Sequence, residues 1–353
     1  MKNNITKNLK QNTNSSKNTM QILFAFGILL FIFIPYLLIS KHFMSGINLS
    51  NLLRQIAPII IIGIGQSYVL ISGHIDLSLG SVIGMSVMIS SHLMTMNKEW
   101  NAFLNPWGIL IVTMAACLLL GLINGVLVAK FKLPSYIITL ATMSIARGIA
   151  QAINRNYSTD AIGAQADGFR ELFYRGEIFS IGEGRKAFTL YNTVIIALVI
   201  WLVFYLLLKY TRFGRDIYAT GSNIDAARLS GVNTTGAIIK AYLVSAFCAG
   251  LVGLIACATA GMGAMDSGNM YETYAFVISI IGGVSILGGR GSLVGTLIGA
   301  FIWGTLLNVI HSMGASVAVR NIVIGTLLII FAGFNIISNI GILRKKIKSS
   351  LKL

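Results

Sequence analysis

Charge is what this sequence has least of. Only 11% of its 353 residues are Asp, Glu, Lys or Arg, and the acids number just 11. A soluble globular domain carries roughly 25% charged residues, so a soluble surface is excluded. Cysteine is scarce as well. Cys117, Cys248 and Cys257 each sit inside an apolar run, with no CxxC spacing, and read as small packing residues. The four histidines, His42, His74, His92 and His311, are scattered, so no metal site is expected. No GxxxxGK[ST], GxSxG or HExxH occurs. The chain therefore lacks a phosphate loop, a nucleophile elbow and a zinc helix of its own. Nor is there a series of intramembrane carboxylates, which disfavours a proton-driven pump.

What is present is apolar surface. Hydrophobic residues make up 55% of the chain, in runs that reach the roughly 20 residues a bilayer crossing requires. The expected architecture is all-α, a polytopic transmembrane helical bundle of about ten spans. They fall near 21–40, 56–72, 77–96, 108–129, 134–153, 188–208, 237–260, 274–288, 292–312 and 320–340. The eighth is short enough to be a broken or tilted helix. Residues 1–20 form a basic N-terminal tail, 21–340 the transmembrane domain, and 341–353 a basic C-terminal tail. The 37 glycines suit close helix approach in a membrane bundle. Sixteen loop and tail Lys/Arg fall on the side of the two termini and nine on the other, which places both termini in the cytoplasm of a cell-membrane protein. The net charge of +16 follows this sidedness, so it does not point to nucleic acid. The longest loop, about 154–187, lies outside. It is either a solvated connector or a docking surface, with a short helix expected around "DGFRELFY".

Four stretches carry more than hydropathy. In "GHIDLSLGSVIGMSVMIS", Asp76 or Ser78 can cap the third span. In "LPSYIITLATMSIARGIAQAI", Arg147 is either a site residue or an arginine snorkelling to the outer interface. The loop at about 209–236 contains "YATGSNIDAARLSGVNTTG". Ser222 or Asn223 can cap a helix of one to two turns there, and Gly231 is placed to end it. "IGGVSILGGRGSLVGTLIGA" allows a tight turn at Gly288, Gly289 and Gly291. Inside the spans, Gln66, Asn124, Thr139 and Asn308 either line a water-filled path, together with Arg147, or bond to neighbouring helices.

In this order, "DLSLGS", "TLATMSIARGI", "TRFGRDIYATGSNIDAARLSGVNT" and "IGGVSILGGRGSLVGTLIGA" resemble the permease subunits of ABC-type monosaccharide importers, the ribose, galactose and xylose group. The likeness spans roughly residues 45–335. It implies a type II importer-like permease that pairs with a second copy or a paralogue. Two ABC ATPase subunits beneath it would hold ATP-Mg, and an extracytoplasmic solute-binding protein would deliver the sugar. The chain itself would be no enzyme and bind no cofactor. The resemblance assigns ATPase coupling to Asn223, Ala226, Ala227, Arg228, Leu229 and Gly231. Relatives of this group also carry nucleosides and furanosyl signalling molecules. A stand-alone channel or ion-coupled carrier is the competing class.

Overall fold

The computed structural model describes residues 27, 30, 44–96, 106–163, 166–182 and 187–350. The expected tail 1–20 lies outside the described residues, as does the first span, 21–40, apart from residues 27 and 30. Helix α1 is Gly46–Ile71, ten residues longer at its start than the hydropathy run. Ser45 explains the early start, because its side chain accepts the Asn48 N–H and caps the helix. Then come α2 (Leu79–Met96), α3 (Pro106–Ala129) and α4 (Ser135–Ile153), close to expectation.

The loop at about 154–187 carries more structure than a plain connector. A short α5 (Asp167–Arg170) runs into a π-helical turn, Glu171–Arg175, and buries Phe169 and Phe173. Strands β1 (Glu177–Ile181) and β2 (Phe188–Tyr191) then form an antiparallel hairpin. The helix expected at 188 therefore starts at Asn192, because residues 188–191 are committed to strand pairing: α6 is Asn192–Tyr210. Two polar helices follow, α7 (Arg212–Ser222) and α8 (Ile224–Leu229), and then α9 (Thr234–Ala260).

Helix α10 (Tyr271–Ile281) stops well short of its expected end at 288. Residues Gly282–Ser285 stay buried in irregular backbone, tied by Val284 N–H to the Ser279 carbonyl, Ser285 N–H to the Arg290 carbonyl, and the Asn335 amide to the Val284 carbonyl. Non-helical chain is tolerated at membrane depth when protein satisfies it in this way. The span is broken, not continuous. Helix α11 is Leu293–Ser312, and α12, Val317–Ser350, continues past the expected limit at 340.

Seven of these helices are long and apolar enough to cross a membrane, and α10 and the first part of α12 are shorter apolar helices. Helix α9 packs on α1, α2 and α3 at the centre. In α2, α9 and α11, 72% of the apolar window is buried, against 22% in α4 and α6, so the latter two form an outer wall. Small residues set the spacing. A Cβ on Gly125 would come within 2.8 Å of the Ile239 Cα, and one on Gly65 within 3.0 Å of the Ser245 Cα.

Candidate functional site

Contacts between helix ends divide the bundle into two ends. One carries the N-terminus of α1, the hairpin and the starts of α10 and α12. The other carries α7, α8 and the glycine turn before α11.

At the first end, a cavity of about 890 Å³ opens between α1, α9, α10, α11 and α12. Asn51, Arg54 and Gln55 line it from α1, Tyr271 and Tyr274 from α10, and Arg320 from α12. Tyr174 of the π-helical turn also reaches it. The hairpin is held here because Thr189 N–H donates to Ser50 Oγ of α1 at 2.7 Å. None of Gln66, Asn124, Thr139, Arg147 or Asn308 lines this cavity. It was missed in the sequence because α1 was expected to begin at 56, which left Arg54 as a loop cation. Ser45 followed by Asn48 was the available signal.

The five expected path residues fall into different settings. Gln66 is fully buried in α1, and both of its amide atoms lack a partner among the described residues. Asn308 exchanges amide hydrogen bonds with Asn48 at 3.3 and 3.4 Å, linking α11 to α1. Thr139 is buried and donates back to the Ser135 carbonyl within its own helix. Arg147 turns inward, its Nη1 donating to the Ser267 carbonyl at 3.0 Å beside Gly84. The contact joins α4 to the loop after α9, and the side chain is half-buried.

Asn124 belongs to a buried cluster with Asp76. The Asp76 carboxylate accepts the N–H and hydroxyl of Ser78 at the start of α2, at 2.9 and 2.6 Å, and the Ser245 hydroxyl of α9 at 2.7 Å. Asn124 of α3 donates to Ser78 Oγ at 3.1 Å. Burial pushes the Asp76 carboxyl above its ordinary pKa, and the hydrogen bonds from Ser78 and Ser245 pull it back. The group ties three helices together at the second end, which goes beyond a simple cap.

At that same end stands the stretch Tyr218–Gly236, and it holds two helices where one was expected. Thr211 caps α7 by accepting the Gly214 N–H. Ser222 ends α7 and is not the cap of α8. That role falls to Asn223, whose side chain accepts the N–H groups of Asp225 and Ala226 at 3.0 and 2.9 Å. Gly231 follows at φ +79°, a conformation glycine adopts without strain. Ala227 faces inward, whereas Leu229 is 91% exposed. Asn223, Ala226, Arg228 and Leu229 thus share one small projecting element.

Helix α7 connects this projection to the bundle. Tyr218 Oη donates to the Gly291 carbonyl at 2.8 Å, and Gly221 sits against the Ile71 carbonyl and the Gly289 nitrogen. Gly289 N–H donates to the Ile71 carbonyl at 2.8 Å. The end of α7, the end of α1 and the turn before α11 therefore meet backbone to backbone. Gly288, Gly289 and Gly291 all have positive φ there, as the expected tight turn requires.

Residues 48–332 match the family described as branched-chain amino acid transport system / permease component. Among curated proteins, the chain is 34% identical to the ribose import permease of Haemophilus influenzae, over 79% of this chain and 82% of that one. It is 32% identical to the ribose import permease of Bacillus subtilis, over 83% and 86%. It is also 32% identical to the fructose import permease of Rhizobium meliloti, over 87% and 80%. No solved structure matches the chain.

Proposed function

The chain belongs to this permease-component family, and from that premise we propose that it is the transmembrane permease subunit of an ATP-driven monosaccharide importer. The relatives named as ribose, fructose, galactose and allose import permeases support a sugar as the solute. The observation that carries the reading is the division of labour between the two ends. A cavity of about 890 Å³ opens at one end, within the roughly 300–1,000 Å³ range of small-molecule sites. A capped helix with a bare leucine projects at the other.

In this mechanism both termini are cytoplasmic, and α8 docks on an ABC ATPase subunit through Arg228 and Leu229. Asn223 and Gly231 hold the helix ends, and Ala226 and Ala227 set its two faces. ATP-Mg binds and is hydrolysed on the partner, not on this chain. Closure of the ATPase pair pushes α8, and α7 passes the movement to the ends of α1 and α11, whose other ends wall the cavity. A solute-binding protein delivers sugar at the cavity end, and a second permease copy or paralogue completes the path. Gln66 lies about 18 Å deeper along α1 than Arg54, at 1.5 Å per residue. Its amide, without a partner among the described residues, supports a place on that path. Alternation between outward- and inward-facing states moves solute only through the difference in its affinity for the two.

Reconstitution tests this. The chain in proteoliposomes with its ATPase and binding protein is expected to accumulate a labelled pentose or hexose only when ATP is supplied. The isolated chain under an ion gradient is expected to accumulate none, and ion-driven uptake by the chain alone would overturn the importer reading.

A further inference from the structure

Among the described residues, the cavity is lined by Arg54 and Arg320 and by no carboxylate. Arg175–Asp167 is the only ion pair among the described residues, so neither cavity arginine has an acidic partner there. Arg54 is nonetheless held firmly. Its guanidinium carbon lies 4.4 Å from the ring centroids of both Tyr174 and Tyr191, and Nη2 donates to Asn51 Oδ1 at 3.0 Å. Both rings present their faces to the cation, which restricts its movement. A guanidinium has five N–H donors, and Asn51 takes the one bond that Arg54 makes among the described residues. Across the cavity, Arg320 Nε is buried with no acceptor among the described residues. The clamp is built by the hairpin, since Tyr174 precedes β1 and Tyr191 ends β2.

An arginine that lines a cavity without a counter-charge among the described residues leaves its donors available to a ligand. Donors in excess of acceptors suit a ligand rich in oxygen, and fixed positive charge disfavours a cation. Resting on the importer reading, we infer that Arg54 is a specificity-determining residue of the cavity. Its clamped guanidinium donates to the oxygens of a polyhydroxylated solute, neutral or anionic, and excludes solutes that carry a protonated amine. The tyrosine clamp restricts the guanidinium, so little ordering is required when a solute arrives.

The test uses the permease–ATPase complex in nanodiscs, without nucleotide or binding protein. Saturation-transfer NMR compares three pyranoses, D-glucose, D-glucuronate and D-glucosamine, at a pH where the amine is protonated. The wild type should bind glucuronate and glucose and disfavour glucosamine by about tenfold, a difference of about 1.4 kcal/mol. Arg54→Lys should keep that order and Arg54→Gln should erase it. Gln55→Glu places an acid in the same cavity without touching the clamp, and should admit glucosamine while weakening glucuronate. The inference fails if the wild type shows no order or binds none of the three. It also fails if Arg54→Gln and Gln55→Glu leave the order intact. ATP-driven uptake by the wild-type system is scored separately, so the importer reading and this inference stand or fall independently.

Discussion

Gly221→Ala probes the meeting point of α7, α1 and the turn before α11. A Cβ at Gly221 would run into the Ile71 carbonyl and lie 2.7 Å from the Gly289 nitrogen. Those two atoms are hydrogen-bonded to each other at 2.8 Å, so the methyl pushes directly on that bond. Overpacking of a tight site typically costs about 1–3 kcal/mol. Leaving the carbonyl of buried Ile71 without its donor costs up to about 1–3 kcal/mol more. Together these remove a large part of a typical folding stability of about 5–15 kcal/mol. Backbone relaxation would ease the clash only by moving the end of α7 off the end of α1, the contact that transmits movement. The purified complex is expected to unfold at a lower temperature and to hydrolyse ATP without accumulating sugar. Gly148→Ala is the control, because nothing lies within 4 Å of a Cβ there. Replacing that helical glycine should stabilise by about 0.5–1 kcal/mol. Wild-type unfolding and uptake in Gly221→Ala would refute the reasoning, as would equal damage from Gly148→Ala.

Leu229→Asp should abolish co-purification of the ATPase while leaving the chain inserted and monodisperse, since the side chain is 91% exposed and contributes little to the fold; pull-down with the ATPase decides it. Asn223→Ala removes the cap of a six-residue helix and should cost about 1 kcal/mol, seen as faster amide exchange across α8. Asp76→Ala strands the Ser78 N–H and the Ser78 and Ser245 hydroxyls, and should lower stability by about 3 kcal/mol in a denaturation series, with Asp76→Asn milder because it keeps an acceptor. Arg147→Gln should loosen α4 from the Ser267 carbonyl and reduce uptake, measured in the reconstituted system; unchanged uptake would assign Arg147 a packing role only.

The spans α3 and α4 were legible to within two residues. The expected 108–129 and 134–153 became Pro106–Ala129 and Ser135–Ile153, because a crossing helix must be apolar over a fixed length. Parts governed by hydrogen bonding instead of hydropathy were less legible. The start of α1 depends on Ser45, the break after Ile281 depends on partners as distant as Asn335, and the strand at 188–191 depends on pairing with 177–181. Within the polar stretch at 209–236, one helix was visible from its cap and its glycine. The other, α7, was not anticipated, although Thr211 stands where its cap should be.

The class of molecule follows from composition and run length, which leave an apolar chain no stable state outside a bilayer. A polar projecting helix follows from the sequence too, because caps and positive-φ glycines act within a few residues. Which polar residues meet depends on the folded bundle. Arg54 and Arg320 are 266 positions apart in the sequence, and the tyrosines that clamp Arg54 come from a loop more than a hundred residues away. Asp76 meets Ser245 across 169 positions, and α1, α7 and the turn before α11 touch through glycines from three separate segments. Local pattern cannot encode such encounters, since they follow from how ridges and small residues of whole helices fit against one another.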